Sequence, residues 1–389
     1  MESILYYSLL FLVSAFTTKW AFKKVLKIAV EKNIVDNPDA RKIQRVPVPV
    51  LGGMAVYFGI VSALACAGIV NDISPLFEIG CVMTLLLLLG TIDDIISLSP
   101  VKRFIIEVFA VLALIYTNQY SINNFHGLWG IYEIPHWIAV PLTVIACVGI
   151  INAINLIDGV NGLSSGYCIM ACLIFSILFS LSGDMISASL AIISVGSLIP
   201  FFLHNVFGRR SKMFIGDGGT LLMGAILSSF VINILKTGSI ISTSLPDNFG
   251  LVPFVLAVFT IPVFDTLRVM ALRIIRKTSP FHPDKTHLHH LLLDLHFSHV
   301  GTTIFEILFN LFVVLIWFLS YLLGASIDVQ LYIVITLGLL ITFVFYRFAR
   351  VQERNNTSIY KLLIKVGDWT HVGSTSWFEW LTTRLDKGC

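Results

Sequence analysis

Charge is what this chain is short of. Only 13% of its 389 residues are Asp, Glu, Lys or Arg, against roughly a quarter in soluble domains. That excludes an ordinary water-soluble globule, and no basic tract suggests a nucleic-acid partner. Cysteine is also sparse. There are six, without a CxxC pair, five of them inside apolar runs and the last at Cys389, which argues against a disulfide framework and a cysteine-based metal or redox centre. Internal repeats and low-complexity tracts are missing. The first apolar run (3–22) lacks a basic front end and a small-residue cleavage site, so it reads as a retained span and not as a signal peptide.

What fills the chain instead is oil, with 56% apolar residues. Runs of about 20 residues, enough to cross a bilayer as helices, lie near 3–22, 50–70, 76–92, 104–120, 137–155, 163–182, 185–206, 218–235, 249–270, 301–323 and 328–347. The expectation is an all-α polytopic membrane protein with about eleven transmembrane helices. Loops rich in Lys and Arg stay inside. With the N-terminus outside and the C-terminus cytoplasmic, eleven spans put 24 of the 26 basic residues on the inner side, leaving Lys19 and Lys236. The stretch 121–136 has the turn residues of a small outer hairpin. Residues 1–350 read as the multi-span domain and 351–389 as a cytoplasmic tail. Trp369, Trp377, Phe378 and Trp380 beside Lys361, Lys365, Arg384 and Lys387 suit an interfacial amphipathic helix, with a disordered tail as the alternative.

Four polar islands interrupt the oil, all on the expected inner side. Carboxylates near lipid are expensive and usually retained for a task. Asp93-Asp94 closes the third run, where two adjacent negative charges repel each other and oppose their own helix dipole. A bound cation or a nearby Lys or Arg removes both costs. Asn152, Asn155 and Asp158 recur at i, i+3 and i+6, one face of a helix, followed by Asn161 and the breakers Gly159 and Gly162. Amide oxygens there suit Mg²⁺ or phosphate and sugar hydroxyls. Gly216-Asp217-Gly218-Gly219 opens another run, where free N–H groups favour phosphate oxygens and the carboxylate a metal. The fourth island is His287, His289 and His290. A zinc site competes there, but no cysteine accompanies that spacing. Together the islands suggest a metal-assisted catalytic site.

In order along the chain, Pro38–Lys42, Pro47–Gly53, TIDD (91–94), NAINLIDGVNGL (152–163), FIGDGG (214–219) and DKTHLHH (284–290) resemble the polyprenyl-phosphate N-acetylhexosamine-1-phosphate transferase family, glycosyltransferase family 4. The likeness is strongest to its bacterial undecaprenyl-phosphate GlcNAc-1-phosphate branch. The resemblance implies transfer of N-acetylhexosamine-1-phosphate from a UDP-sugar to a polyprenyl phosphate in the bacterial inner membrane, on its cytoplasmic face. UMP would be released, either directly or through an aspartyl phosphoenzyme, and the cofactor would be Mg²⁺, with Mn²⁺ as a substitute. A homodimer is compatible with it. It further implies Asp93, Asp94 and Asp158 as catalytic carboxylates, Asn155 and Asp217 as metal ligands, and Asn152, Asn161, His287, His289 and His290 as substrate-binding residues. Gln44, Asn161 and Lys285 depart from the family's usual His, Asp and Arg.

A competing class is an ion-coupled secondary transporter using membrane-boundary carboxylates. It predicts charges buried mid-span in broken helices repeated between halves. Here the acids sit at span ends and no repeat is visible.

Overall fold

The computed structural model describes residues 2–38, 46–118, 121–279, 285–371, 373 and 375–387. Arg41, Lys42, Gln44 and Asp284 lie outside the described residues. The chain is mostly helical. A long α1 (Glu2–Glu31) leads into a short antiparallel pair, β1 (Val35–Asp36) and β2 (Val48–Pro49), then α2 (Gly52–Val70), α3 (Phe77–Ile96) and α4 (Pro100–Asn118). The expected hairpin is present as β3 (Asn124–Leu128) and β4 (Ile131–Glu133). Next come α5 (His136–Leu156), α6 (Leu163–Ser182), α7 (Met185–Phe207), α8 (Gly216–Leu235), the short α9 (Ile240–Ser244), α10 (Leu251–Val258) and α11 (Thr260–Ile275). The chain ends with α12 (Leu288–Asp294), α13 (His299–Leu322), α14 (Ile327–Leu339), a π-helical turn (Leu340–Phe345) into α15 (Tyr346–Arg354), α16 (Ser358–Asp368) and α17 (Ser376–Asp386).

Among the described residues nine helices are long and apolar enough to cross a membrane, and α10 with α11, bent by 73°, form a broken span or a re-entrant loop, which as one span would make ten. This is a multi-pass membrane protein. The sequence-based count of eleven differs at α4, whose first two turns carry Lys102, Arg103 and Glu107 and dilute its apolar character. The 249–270 run also differs, being a broken helix where a single one was expected. Inside a bilayer, backbone freed at such a break must find partners in the protein. Asn310 supplies them, donating from Nδ2 to Val258 O (2.9 Å) and Ala257 O (3.3 Å) and accepting Ile261 N (3.0 Å), while the Tyr167 hydroxyl donates to Val258 O.

Helix α8 is the axis of the bundle. Its apolar window is 94% buried, and it packs against α2, α3, α5 and α6. Lipid offers little hydrophobic drive between helices, so close association depends on small residues that let backbones approach. At the end of α8 nearest Asp217 this is literal. A Cβ on Gly90 of α3 would fall 2.3 Å from Gly218 N and 2.4 Å from the Asp217 carbonyl carbon. Backbone cannot yield there, so Gly90→Ala is expected to separate α3 from α8. The variant should lose at least about 2 kcal/mol of stability together with turnover, as read by thermal unfolding in detergent and by activity. A wild-type melting curve would contradict this packing.

The C-terminal helices rest on the end of the bundle that carries Asp217. The Asp386 carboxylate accepts N–H bonds from Arg209, Arg210 and Ser211 (3.0–3.3 Å) and the Ser211 hydroxyl (2.8 Å). Phe207 packs edge-on against Trp377 and Phe378. Residues 208–213 therefore enter the Gly216–Gly219 turn from a braced loop.

Candidate active site

Three helix ends bring the acids together. Asp93 and Asp94 occupy the last turn of α3, where the chain stops in a left-handed Ser97 (φ 51°). Their unfavourable placement on α3 is offset by α8. Asp94 Oδ1 accepts Asp217 N (3.0 Å) and Oδ2 accepts Gly218 N (3.3 Å), so Asp94 caps the positive end of the neighbouring helix. The free amides expected to receive phosphate oxygens thus already hold a carboxylate. Gly216 makes this contact feasible. Its φ is +72°, and a Cβ there would meet Asp94 Oδ2 at 2.4 Å. The turn is held from the other side by the 47–53 segment, through Gly52 N to Phe214 O (2.9 Å), Gly53 N to Ile215 O (2.8 Å) and Phe214 N to Pro49 O (2.8 Å).

Asp217 is the centre of the cluster. Its Oδ1 accepts Asn155 Nδ2 (2.8 Å) and its Oδ2 accepts Arg103 Nη1 (2.8 Å). The same Arg103 nitrogen lies 3.3 Å from Asp93 Oδ2, and Arg103 Nε donates to Glu107 Oε1 (2.9 Å). One guanidinium therefore bridges three carboxylates from α3, α4 and α8, sharing a single positive charge among them. Asp217 keeps about a third of its side chain exposed (33%), so the cluster has an open side.

The Asn motif splits. Asn155 turns to α8, bonding Asp217 and Thr220 Oγ1 (2.8 Å). Asn152 turns to α4, where Nδ2 donates to Glu107 Oε2, so it supports Arg103 from behind through Glu107, while Asn155 alone of the two bonds Asp217. Asp158 lies beyond the end of α5, in the turn before α6, and accepts the Ser164 hydroxyl. Asn161 is fixed by its backbone, through N to His299 Nδ1 (3.2 Å) and O from Thr303 Oγ1 (3.0 Å).

Burial pushes the Asp158 carboxyl up to about 7, the Ser164 bond lowers it and the Asp217 charge raises it further. A raised carboxyl favours the protonated form in the folded state. Ionisation therefore costs stability progressively as pH rises above the ordinary value of 3.8, and the cost is complete above about 7. Asn at this position still accepts from Ser164. Asp158→Asn should thus melt higher than the wild type at pH 8 by on the order of several degrees, a gap that closes towards pH 4. Melting curves of metal-free protein in detergent test this. A gap independent of pH would mean that Asp158 is not held in that environment.

The histidines approach from α12. A Cβ on Gly159 would sit 2.6 Å from His289 Nε2, so that glycine is what lets His289 pack onto the Asp158 turn. Burial holds the His289 imidazole well below the ordinary histidine range, and the neighbouring His290 and His287 push the same way. His290 follows, ring centroids 4.4 Å apart. His287 points elsewhere, its Nδ1 bonded to the buried Asp265 Oδ2 at 2.8 Å.

The structure thus joins Asp93, Asp94, Asn155 and Asp217 directly, sets Asp158 and the histidine segment beside them, and leaves Asn152 and Asn161 as supports. Sequence reasoning missed Arg103, which stood only as loop charge, Glu107, which falls inside the expected 104–120 run, and Asp265 with Arg268, an acid–base pair three residues apart in an apolar run. That pairing is itself a readable signal.

The donor set of the cluster is all oxygen, as Mg²⁺ requires. Among the described residues no three acidic, histidine or cysteine side chains converge on one point. Asp217, with Asn155 beside it, fits an ion that takes one or two protein ligands and completes its shell with water and substrate phosphate. In the present rotamer Asn155 turns its nitrogen to Asp217, and an amide flip would present oxygen instead.

Residues 76–235 match the sequence family described as glycosyl transferase family 4. The chain is 27% identical to a probable undecaprenyl-phosphate N-acetylglucosaminyl 1-phosphate transferase of Bacillus subtilis, covering 91% of this chain and 96% of the relative. It is 32% identical to a decaprenyl-phosphate N-acetylglucosaminephosphotransferase of Mycobacterium leprae, over 74% and 77%. It is also 28% identical to the undecaprenyl-phosphate alpha-N-acetylglucosaminyl 1-phosphate transferase of Escherichia coli K12, over 73% and 75%. With identity at that level over three quarters of a relative's length, and the acids gathered at one end of the bundle, this chain belongs to glycosyl transferase family 4.

Proposed function

We propose that this protein transfers GlcNAc-1-phosphate from UDP-GlcNAc to a polyprenyl phosphate, of the undecaprenyl kind, and releases UMP. The observation that carries the reading is the acidic cluster in which Arg103 bridges Asp93 and Asp217 while Asp94 caps the Asp217 backbone, with Asp158 near enough to feel the Asp217 charge and His289, next to His290, packed on the Asp158 turn. The relatives' names, which specify undecaprenyl or decaprenyl phosphate and N-acetylglucosamine phosphate, supply the substrate classes.

The chemistry follows from charge. An acceptor phosphate oxygen bonds to the β-phosphorus of the donor while the β-phosphorus–oxygen bond to UMP breaks. Both reactants are anions, so their approach must be neutralised, and the reaction is governed by positioning and charge stabilisation. Asp217 and Asn155 would hold Mg²⁺, which supplies Lewis-acid neutralisation of the phosphates when bound. Arg103 holds the Asp93 and Asp217 carboxylates in place. Asp93 and Asp94 fix the geometry between α3 and α8. Asp158, whose carboxyl is raised to about 7 by burial, is in its ionised form the group suited to accept a proton from the acceptor phosphate, whose second pKa is about 6. Imidazole donors at His289 and His290 suit the donor's diphosphate.

The membrane accounts for the placement. A lipid tail cannot leave the bilayer and a nucleotide cannot enter it, so the site belongs where spans meet the cytoplasm. The positive-inside pattern supports an outer N-terminus, with α4 as the eleventh crossing and the site on the inner face of a bacterial cytoplasmic membrane. Residues 1–350 then form the transferase domain and 351–389 an interfacial tail. The test is UMP release by purified protein given Mg²⁺, undecaprenyl phosphate and a panel of UDP-sugars. Release that requires the lipid and is fastest with UDP-GlcNAc is expected. Release without the lipid, or none with any UDP-sugar, would overturn the reading.

A further inference from the structure

We propose that Asp265 and Arg268 form a clamp that positions the histidine segment, and that His287 is the clamp's third member and not a ligand of the donor. The inference rests on the assignment of His289 and His290 to the donor.

Asp265 and Arg268 are 2% and 6% exposed, on α11 beyond its 73° bend from α10. Burying two charges is expensive, and such a pair is weak as a source of stability compared with an apolar replacement. What it supplies here is geometry. Asp265 Oδ1 accepts Arg268 Nη2 (2.7 Å), and Oδ2 accepts His287 Nδ1 (2.8 Å) and Leu288 N (3.2 Å). Arg268 Nη2 also donates to Thr286 O (2.6 Å). Three consecutive residues, 286–288, are thereby tied to α11 at the point where α12 begins. The Arg268 guanidinium lies 3.9 Å over the Tyr346 ring, so the last crossing closes the clamp from behind.

The tie is transmitted by ring contact. His287 and His289 stack with centroids 5.6 Å apart and planes within 5°. His289 seats on Gly159 and touches His290. A continuous path thus runs from Asp265 to the turn that holds Asp158. His287 itself is 4% exposed, and its Nε2 is sealed from solvent without a hydrogen-bond partner among the described residues. His289 is as buried, at 2% exposed, and of the three rings only His290 is partly exposed, so a soluble nucleotide meets His290 first, with His289 seated behind it.

The test is steady-state UMP release in detergent, varying UDP-GlcNAc and undecaprenyl phosphate in turn. Asp265→Asn should raise the donor KM about tenfold or more, in the range typical of residues that orient a ligand through another group, with the acceptor KM within about twofold. Combined with His289→Ala, it should add less than about twofold to the effect of His289→Ala alone, because both act through one ring. Should Asp265→Asn fail to accumulate, His287 decides. The amide of His287→Asn reproduces only the Nδ1 donor, so this variant should recover most of the donor affinity that His287→Ala loses. Multiplying effects in the double variant, a parallel rise in both KM values, or a His287→Asn variant as impaired as His287→Ala would each overturn the clamp. A donor KM unmoved by either His289→Ala or His290→Ala would instead sink the donor assignment beneath it.

Discussion

Asp217→Asn is expected to lower kcat by about a thousandfold or more while the protein melts no lower than the wild type. The carboxylate faces α4 and α5 at once, receiving Arg103 and Asn155, while Asp94 of α3 caps its own backbone. The amide is isosteric and can still accept from one of these partners, so the packing survives. Removing a negative charge from a crowded acidic cluster also relieves repulsion. What is lost is the hard anionic oxygen on the open side, and interactions of that kind with a transferring phosphoryl group are worth several kcal/mol in the transition state. Single-turnover rates beside melting curves check this. Near-wild-type turnover would remove Asp217 from the metal site.

Arg103→Met should have the opposite balance, with folding and activity failing together. The Arg103 side chain is mostly buried and is the shared partner of Asp93, Glu107 and Asp217. Deleting it leaves three carboxylates facing one another at a membrane boundary. Breaking a buried pair by removing one partner costs about 3–5 kcal/mol, which for a chain of this size lowers Tm by on the order of 5 °C or more. Lowering the pH should partly restore the variant's melting temperature, since protonating the carboxylates removes the repulsion. A melting curve equal to the wild type at neutral pH would show that another cation does this work.

The contrast between the two residues explains what the sequence could and could not reveal. Asp93, Asp94 and Asp217 stand out because acids at the ends of apolar runs have no cheap explanation, and the crossings are legible because lipid imposes length and composition. Arg103 was hidden because a basic residue at a span end is what orientation alone predicts. Its role depends on α4 passing beside α8, which periodicity does not encode. The same limit misplaced Asn152. A one-face spacing with Asn155 is real, yet α5 lies between two helices, and the two amides diverge towards α4 and α8. The bend between α10 and α11 was unreadable for a related reason, since the groups that satisfy it, Asn310 and Tyr167, come from helices distant in sequence. Asp265 and Arg268 were visible as a charged pair in an apolar run, but their target, the backbone of 286–288, was not.

In the proposed reaction a sugar phosphate, not a bare sugar, crosses from a soluble nucleotide to a lipid. UDP-GlcNAc labelled at the β-phosphate, incubated with the purified protein, Mg²⁺ and undecaprenyl phosphate and then partitioned into butanol, tests it most directly. Label recovered with the lipid, matched by unlabelled UMP in water, is the predicted result. Label remaining in water as UDP while the sugar moves to the lipid would contradict the account.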